Sequence, residues 1–199
     1  MNPAERLRTA GEYVEWLRLR IHDRQLPATD RVRAVGACMA VVQDHHHAIA
    51  LLIQESLYAP AFALLRVAFE AYVRGQWLWL CAKESEIRRF FKGWEPPSPG
   101  LLIEAVEKHP AFVEQVLSGL KNRHWNAMCA YTHTGGLQVQ RWNTPDAIEP
   151  NYDPREVNEA LFFSEWIASL SVVAFATIAS DDQLAIEVLE KLKARANEA

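Results

Sequence analysis

PAFALLRVAFEAYVRGQWLWLCA, residues 60–82, is apolar around nearly its whole helical circumference. A helix of that kind belongs among other helices, not on a surface. Three charges interrupt it, Arg66, Glu70 and Arg74, each four residues from the next. That spacing puts them on one slowly drifting stripe, with Arg66 and Glu70 within pairing range. Leaving such charges buried and unpaired is costly. The stripe is therefore either a structural ion pair or one wall of a polar site.

Working outward, Leu26-Pro27 breaks a preceding helix, and Thr29 or Asp30 caps the next. The stripe Val35, Cys38, Met39, Val42, His46, Ile49 and Ile53 carries that helix to about Ser56. The short link Leu57 to Ala59 makes it an antiparallel neighbour of the 60–82 helix. Ala61, Ala68, Ala71 and Gly75 lie away from Arg66 and permit close approach, so Gly75 reads as a packing residue. At the start, Asn2 and Pro3 suit a cap and a first turn, and Leu7, Ala10, Val14, Leu17 and Ile21 form an apolar stripe. Arg6, Arg8, Arg18, Arg20 and Arg24, interleaved with acids, read as a solvated, salt-bridged face.

Beyond residue 82, helical character continues from Lys83 to Trp94, and the proline-rich run 95–100 ends it. Short helices are expected from Ser98-Pro99 to Lys108 and from Pro110 to about Leu120. A further helix runs through Trp125, Met128, Cys129 and Thr132 to a stop at Gly135-Gly136, followed by a polar loop from Leu137 to Tyr152. Asp153-Pro154-Arg155-Glu156 has the form of a capping box and opens a second all-round apolar helix whose only inner charge is Glu165. Ser180 with Gln183 reads as another capping box, opening an amphipathic helix with Leu184, Val188, Leu189 and Leu192 inward. No strand-period alternation occurs. The expected class is all-α, an irregular up-down helical bundle with about four long helices plus short ones, folded as a single domain over 1–199.

The net charge of −4 speaks against a broad basic surface for duplex nucleic acid, though a local basic patch fits within that total. Cys38, Cys81 and Cys129 are odd in number and far apart, with no disulfide framework or metal clip, which fits a reducing cytoplasm. The first residues lack the apolar run of a signal peptide. Arg66, Glu70, Arg74 and Glu165 interrupt the two most apolar segments, so a protein core is expected there, with no membrane partner.

Two constellations carry chemistry. Arg66 and Glu70, with Arg74 on the same stripe, would face the triplet Tyr131-Thr132-His133 at a helix end. Arginine holds an anion such as a phosphate, histidine shuttles a proton near neutral pH, and tyrosine donates a hydrogen bond. That combination suits metal-free RNA cleavage; the bland reading is an ion pair, with His133 capping carbonyls. The second is Asp44-His45-His46-His47, in which Asp44 and His47 share a face and could form half a metal site with Glu70, His124 or His133. Successive histidines point about 100° apart on a helix, so they cannot all reach one ion. His46 reads better as a hydrogen-bonded core residue, and no metal ligand is assigned. Cys129 reads as a small buried hydrophobe. Phosphate-binding glycine loops and dinucleotide fingerprints are missing from the sequence, and no cofactor is expected.

The segments ALLRVAFEAYVRGQWL and AYTHTGG resemble those of uncharacterised bacterial all-helical proteins loosely related to the HEPN superfamily. The resemblance implies a helical bundle, commonly a homodimer, and in many members metal-independent ribonuclease activity in toxin–antitoxin, antiphage or RNA-processing systems. Their active motif is an arginine followed, after four to six residues, by a histidine. Here Arg123 and His133 have nine residues between them, a step of about 15 Å along a straight helix. The expected catalytic set is His133 as acid or base, with Arg66 or Arg123 as anion clamp and Glu70 and Tyr131 beside them. The competing expectation is a non-catalytic module, with these residues as a buried polar network and the Trp142 loop contacting a protein partner. A metal-binding bundle through His46 or His47 is the weaker alternative.

Overall fold

The computed structural model describes residues 3–110, 112 and 115–197. Asn2, expected as the first cap, lies outside them. Among the described residues every regular element is helical: α1 (Pro3–Ile21), α2 (Asp30–Gln54), α3 (Tyr58–Leu80), α4 (Glu84–Phe90), α5 (Pro99–Glu107), α6 (Val116–Thr132), α7 (Gly136–Gln140), α8 (Pro154–Ala179) and α9 (Asp182–Ala196). The fold is all-α.

Helices α2, α3 and α8 form the centre. α2 packs along α3 and α8, α6 and α5 lie on α3, and α1 and α9 cover the other side of α8. The anticipated stripe of α2 is buried throughout, from Val35 to Ile53. Thr29 caps α2, its hydroxyl accepting from the Val32 N–H at 3.2 Å. The turn from α2 to α3 is tight because Ser56 adopts a left-handed conformation, φ 59°, and Leu57 N–H bonds back to Leu52 O at 2.7 Å. Gly75 has the packing role read from its small-residue neighbours. A Cβ there would lie 2.4 Å from Met39 Cε and 3.1 Å from Cys38 Cβ of α2. α8 is long and apolar enough to cross a membrane, and most of that stretch is packed inside the protein.

Several boundaries differ from expectation. α3 starts at Tyr58, two residues before Pro60, which occupies its first turn without breaking it. The helix expected from Pro110 is replaced by one beginning at Val116; Ala111, Val113 and Glu114 of that stretch lie outside the described residues. α6 ends at Thr132 with His133 as its C-cap, and Thr134, in the left-handed conformation at φ 53°, turns the chain before the glycines are reached. Gly135 is needed for a different reason: its added Cβ would meet Ala130 Cα at 3.0 Å. The polar loop opens with helix α7 and is internally tied, Asn151 N–H bonding Arg141 O at 2.8 Å and Glu149 N–H bonding Trp142 O at 3.2 Å. Neither capping box forms as expected. Asp153 accepts from Arg155 N–H while Glu156 turns to Arg141, and α9 is capped by Asp181, which accepts from Leu184 N–H. Leu189 is 45% exposed and not on the inner side of α9.

The main correction concerns charge. Arg6, read as part of a solvated face, is 4% exposed and forms two hydrogen bonds with Glu165, at 2.8 and 3.1 Å. Arg195 of α9 grips the same carboxylate at 2.5 and 3.1 Å. Glu165, fully buried, thus has a guanidinium on each side, one from α1 and one from α9. Burial alone would raise its carboxyl, but the hydrogen bonds and charges of Arg195 and Arg6 outweigh that and hold it below the usual carboxylate range. Arg195 also stacks on the Tyr13 ring, 4.8 Å to its centroid.

Candidate functional site

Arg66 sits on the half-exposed side of α3, where α6 crosses it. Its Nε donates to Glu70 Oε1 at 2.7 Å, the pairing their four-residue spacing permits. Its guanidinium carbon lies 4.8 Å from the centroid of the Trp125 ring of α6. Held by a carboxylate and an aromatic face, the guanidinium points one N–H group, Nη1, at His133 Nε2, 2.5 Å away. Arginine only donates, so Nε2 must accept and the ring is neutral in this arrangement, with its proton on Nδ1. Thr132 holds the end of α6 in register: its hydroxyl lies 2.8 Å from Met128 O and 3.2 Å from Ala63 O, one turn before Arg66. His133, the C-cap of α6, is exposed, and Arg66 and Glu70 each keep about a fifth of their side-chain surface in contact with solvent. Lys121 adds a second cation, its ammonium 5.5 Å from the Trp125 centroid.

The structure therefore brings Arg66, Glu70 and His133 into one water-facing cluster. The other predicted residues lie elsewhere. Tyr131 is 8% exposed and lines a separate cavity between α3, α6 and α8. Arg123 is exposed on α6 and joins neither group. Arg74 turns to Glu95, 3.7 Å away. Of the histidine run, His46 is buried with Nδ1 3.1 Å from Ser164 Oγ, while Asp44 and His47 are exposed. Among the described residues no three histidine, cysteine, aspartate or glutamate side chains gather around a point where a metal ion could sit.

The cavity beside Tyr131 has a volume of about 460 Å³. Phe62 and Leu65 of α3, His124 and Met128 of α6, and Phe163 and Trp166 of α8 form most of its wall. At the end nearer the start of α8 stand Glu156 and Glu159. Glu156 accepts from Arg141 Nε at 2.7 Å, and a second hydrogen bond joins Arg141 Nη2 to Glu156 Oε1. Burial pushes the Tyr131 hydroxyl upward, and the Glu156 charge adds to the rise. Tyr131 thus holds its hydroxyl proton more firmly than an exposed tyrosine would.

Sequence reasoning did not anticipate the parts played by Trp125, Lys121, Arg141 and Glu156. The spacing of Lys121 and Trp125 placed them on one helical face, but nothing local indicated that Arg66 of another helix would stack there. Arg141 and Glu156 are separated by α7 and the loop, so their pairing has no periodic signature.

A sequence model described as a family of unknown function (DUF6988) matches residues 39–197, which is most of the chain, so this protein belongs to that family. The match covers α3, α6 and α8, and with them both the Arg66 cluster and the cavity. No curated protein and no solved structure matches the chain.

Proposed function

We propose that this member of the DUF6988 family binds RNA through the Arg66 cluster and cleaves it without a metal ion, as a HEPN-like module acting as a homodimer in the cytoplasm, in a bacterial defence or toxin–antitoxin setting. The observation that carries the reading is the contact between Arg66 Nη1 and Nε2 of His133 on a solvent-facing surface. An incoming phosphate competes for the Arg66 N–H groups and frees the His133 lone pair beside it. His133 then takes the proton of the ribose 2′-hydroxyl, and the 2′-oxygen attacks phosphorus. The bond to the 5′-oxygen breaks, water protonates the leaving oxygen, and the products are a 2′,3′-cyclic phosphate and a 5′-hydroxyl. Arg66 offsets the charge that builds on the phosphoryl oxygens, with Lys121 nearby. Glu70 and Trp125 orient Arg66.

The test is incubation of the purified protein with labelled single-stranded RNA in the presence of a chelator, with product ends identified. His133→Ala is expected to lower cleavage by about a hundredfold or more while leaving RNA affinity nearly unchanged. Arg66→Ala is expected to weaken affinity and reduce its dependence on salt. Cleavage by His133→Ala at the wild-type rate, with folding verified by circular dichroism, would remove the mechanism.

A second reading, a non-catalytic interaction module, draws on the loop after α7, where Trp142 is 39% and Ile148 is 83% exposed. Large apolar side chains displayed on an internally bonded loop suit contact with a protein partner. Wild-type protein that neither binds nor cuts RNA would favour it.

A further inference from the structure

We infer that the cavity between α3, α6 and α8 is a binding site for a small hydrophobic amine, its hydrocarbon body against Phe62, Phe163 and Trp166 and its ammonium at Glu159. The site is separate from the RNA reading and does not rest on it: Arg66, Trp125 and His133 do not line the cavity. Its volume of about 460 Å³ lies within the range of about 300–1,000 Å³ usual for small-molecule sites. Side chains from three helices converge on it, and most of its wall is aliphatic or aromatic. That wall calls for an apolar ligand.

The charge of the ligand follows from the remaining lining groups. The formal charges on the wall are the two acids, Glu156 and Glu159. Arg141 neutralises Glu156 by holding both carboxylate oxygens. Glu159 is exposed at the cavity and forms no ion pair with a described residue. A carboxylate ligand would be repelled, and a neutral hydrocarbon would partly desolvate Glu159 with nothing in exchange. An ammonium pairs with Glu159 and also gains the electron-rich faces of the aromatic residues around it. A cationic end and an apolar body together match both halves of the wall.

The experiment compares three ligands with one hydrocarbon body, 4-phenylbutylamine, 4-phenylbutan-1-ol and 4-phenylbutanoate, titrated calorimetrically into the intact protein. The amine is expected to bind one per chain, about tenfold or more tighter than the carboxylate. Glu159→Gln, a change at an exposed position, should lower amine affinity about two- to fivefold and leave the alcohol unchanged. Ala127→Phe, at a half-buried position on the α6 wall, should block all three. Equal affinity for the three ligands would overturn the proposal, as would amine binding that survives Ala127→Phe. So would failure of all three to bind; a dimer in sedimentation that Ala127→Phe dissociates would then show that a second copy covers the cavity instead. If Ala127→Phe does not fold, the comparison of amine and alcohol in Glu159→Gln still decides the matter.

Discussion

Acidification from pH 7 to pH 5 is expected to destabilise this protein mainly through one ring, His46. The side chain is 1% exposed, between α2 and α8. The Ser164 hydroxyl already donates to Leu161 O at 2.7 Å, so it can only accept from His46 Nδ1, 3.1 Å away. The proton of the neutral ring therefore sits on Nδ1. Nε2 keeps its lone pair and meets no hydrogen-bonding partner among the described residues. Protonating it would create a buried N–H without an acceptor, close to a triad that carries two guanidinium groups and one carboxylate. Burial pushes the imidazole down to about 4; the Glu165 charge opposes this, and His47, Arg195 and Arg6 add to it. In the unfolded chain the ring titrates near 6.5. Between those values the unfolded state binds more protons, so the contribution is present above pH 6.5 and is lost as pH falls toward 4. The loss amounts to about 2 kcal/mol between pH 7 and pH 5 and about 3 kcal/mol by pH 4. Urea unfolding followed by circular dichroism at pH 7, 6 and 5 measures it directly. His46→Leu has nearly the same volume and cannot take a proton, and it should flatten the profile to within about 0.5 kcal/mol over that range. An equal loss in the variant and the wild type would refute the assignment.

Glu165→Gln should cost about 3–5 kcal/mol by chemical denaturation at pH 7, because it leaves Arg6 and Arg195 buried without their counter-charge. Since the folded-state carboxyl is held low, its contribution is present above the unfolded value of about 4 and disappears only as pH falls below that; a wild-type protein that lost it by pH 6 would contradict the triad. Gly75→Val should lower the denaturant midpoint by an amount equivalent to about 1–3 kcal/mol, since Met39 can swing aside but the Cys38 Cβ of α2 cannot. An unchanged midpoint would show that α2 and α3 are not in such close contact.

Much of the fold was legible because it follows from local periodicity. The α2 stripe, the small-residue side of α3 that receives α2, and the apolar circumference of α8 all follow from spacings within one helix, and the geometry of a helix converts spacing into a face. His46 as a core residue was legible for the same reason, since it falls within the α2 stripe. The ends were less so. Ser180 and Glu156 have the right types for a capping box, yet the chain chose Asp181 at α9 and spent Glu156 on Arg141. Several residues can satisfy the same terminal N–H groups, and small differences in entry angle decide among them.

The site divides along the same line. By itself the sequence determined that Arg66 and Glu70 share a stripe of one helix and that Tyr131 and His133 lie at the end of another. Only the tertiary structure decided that His133 meets Arg66 while Tyr131 turns to a different cavity with Glu156. Two residues apart on a helix point about 200° from each other, so the crossing of α6 over α3 had to admit one and exclude the other. The same is true of Arg6. Glu5 before it and Arg8 two places on are exposed, and nothing nearby distinguishes it. Its burial is set by Glu165, 159 residues away, because a carboxylate folded into an apolar helix must be met by a cation wherever the chain can bring one.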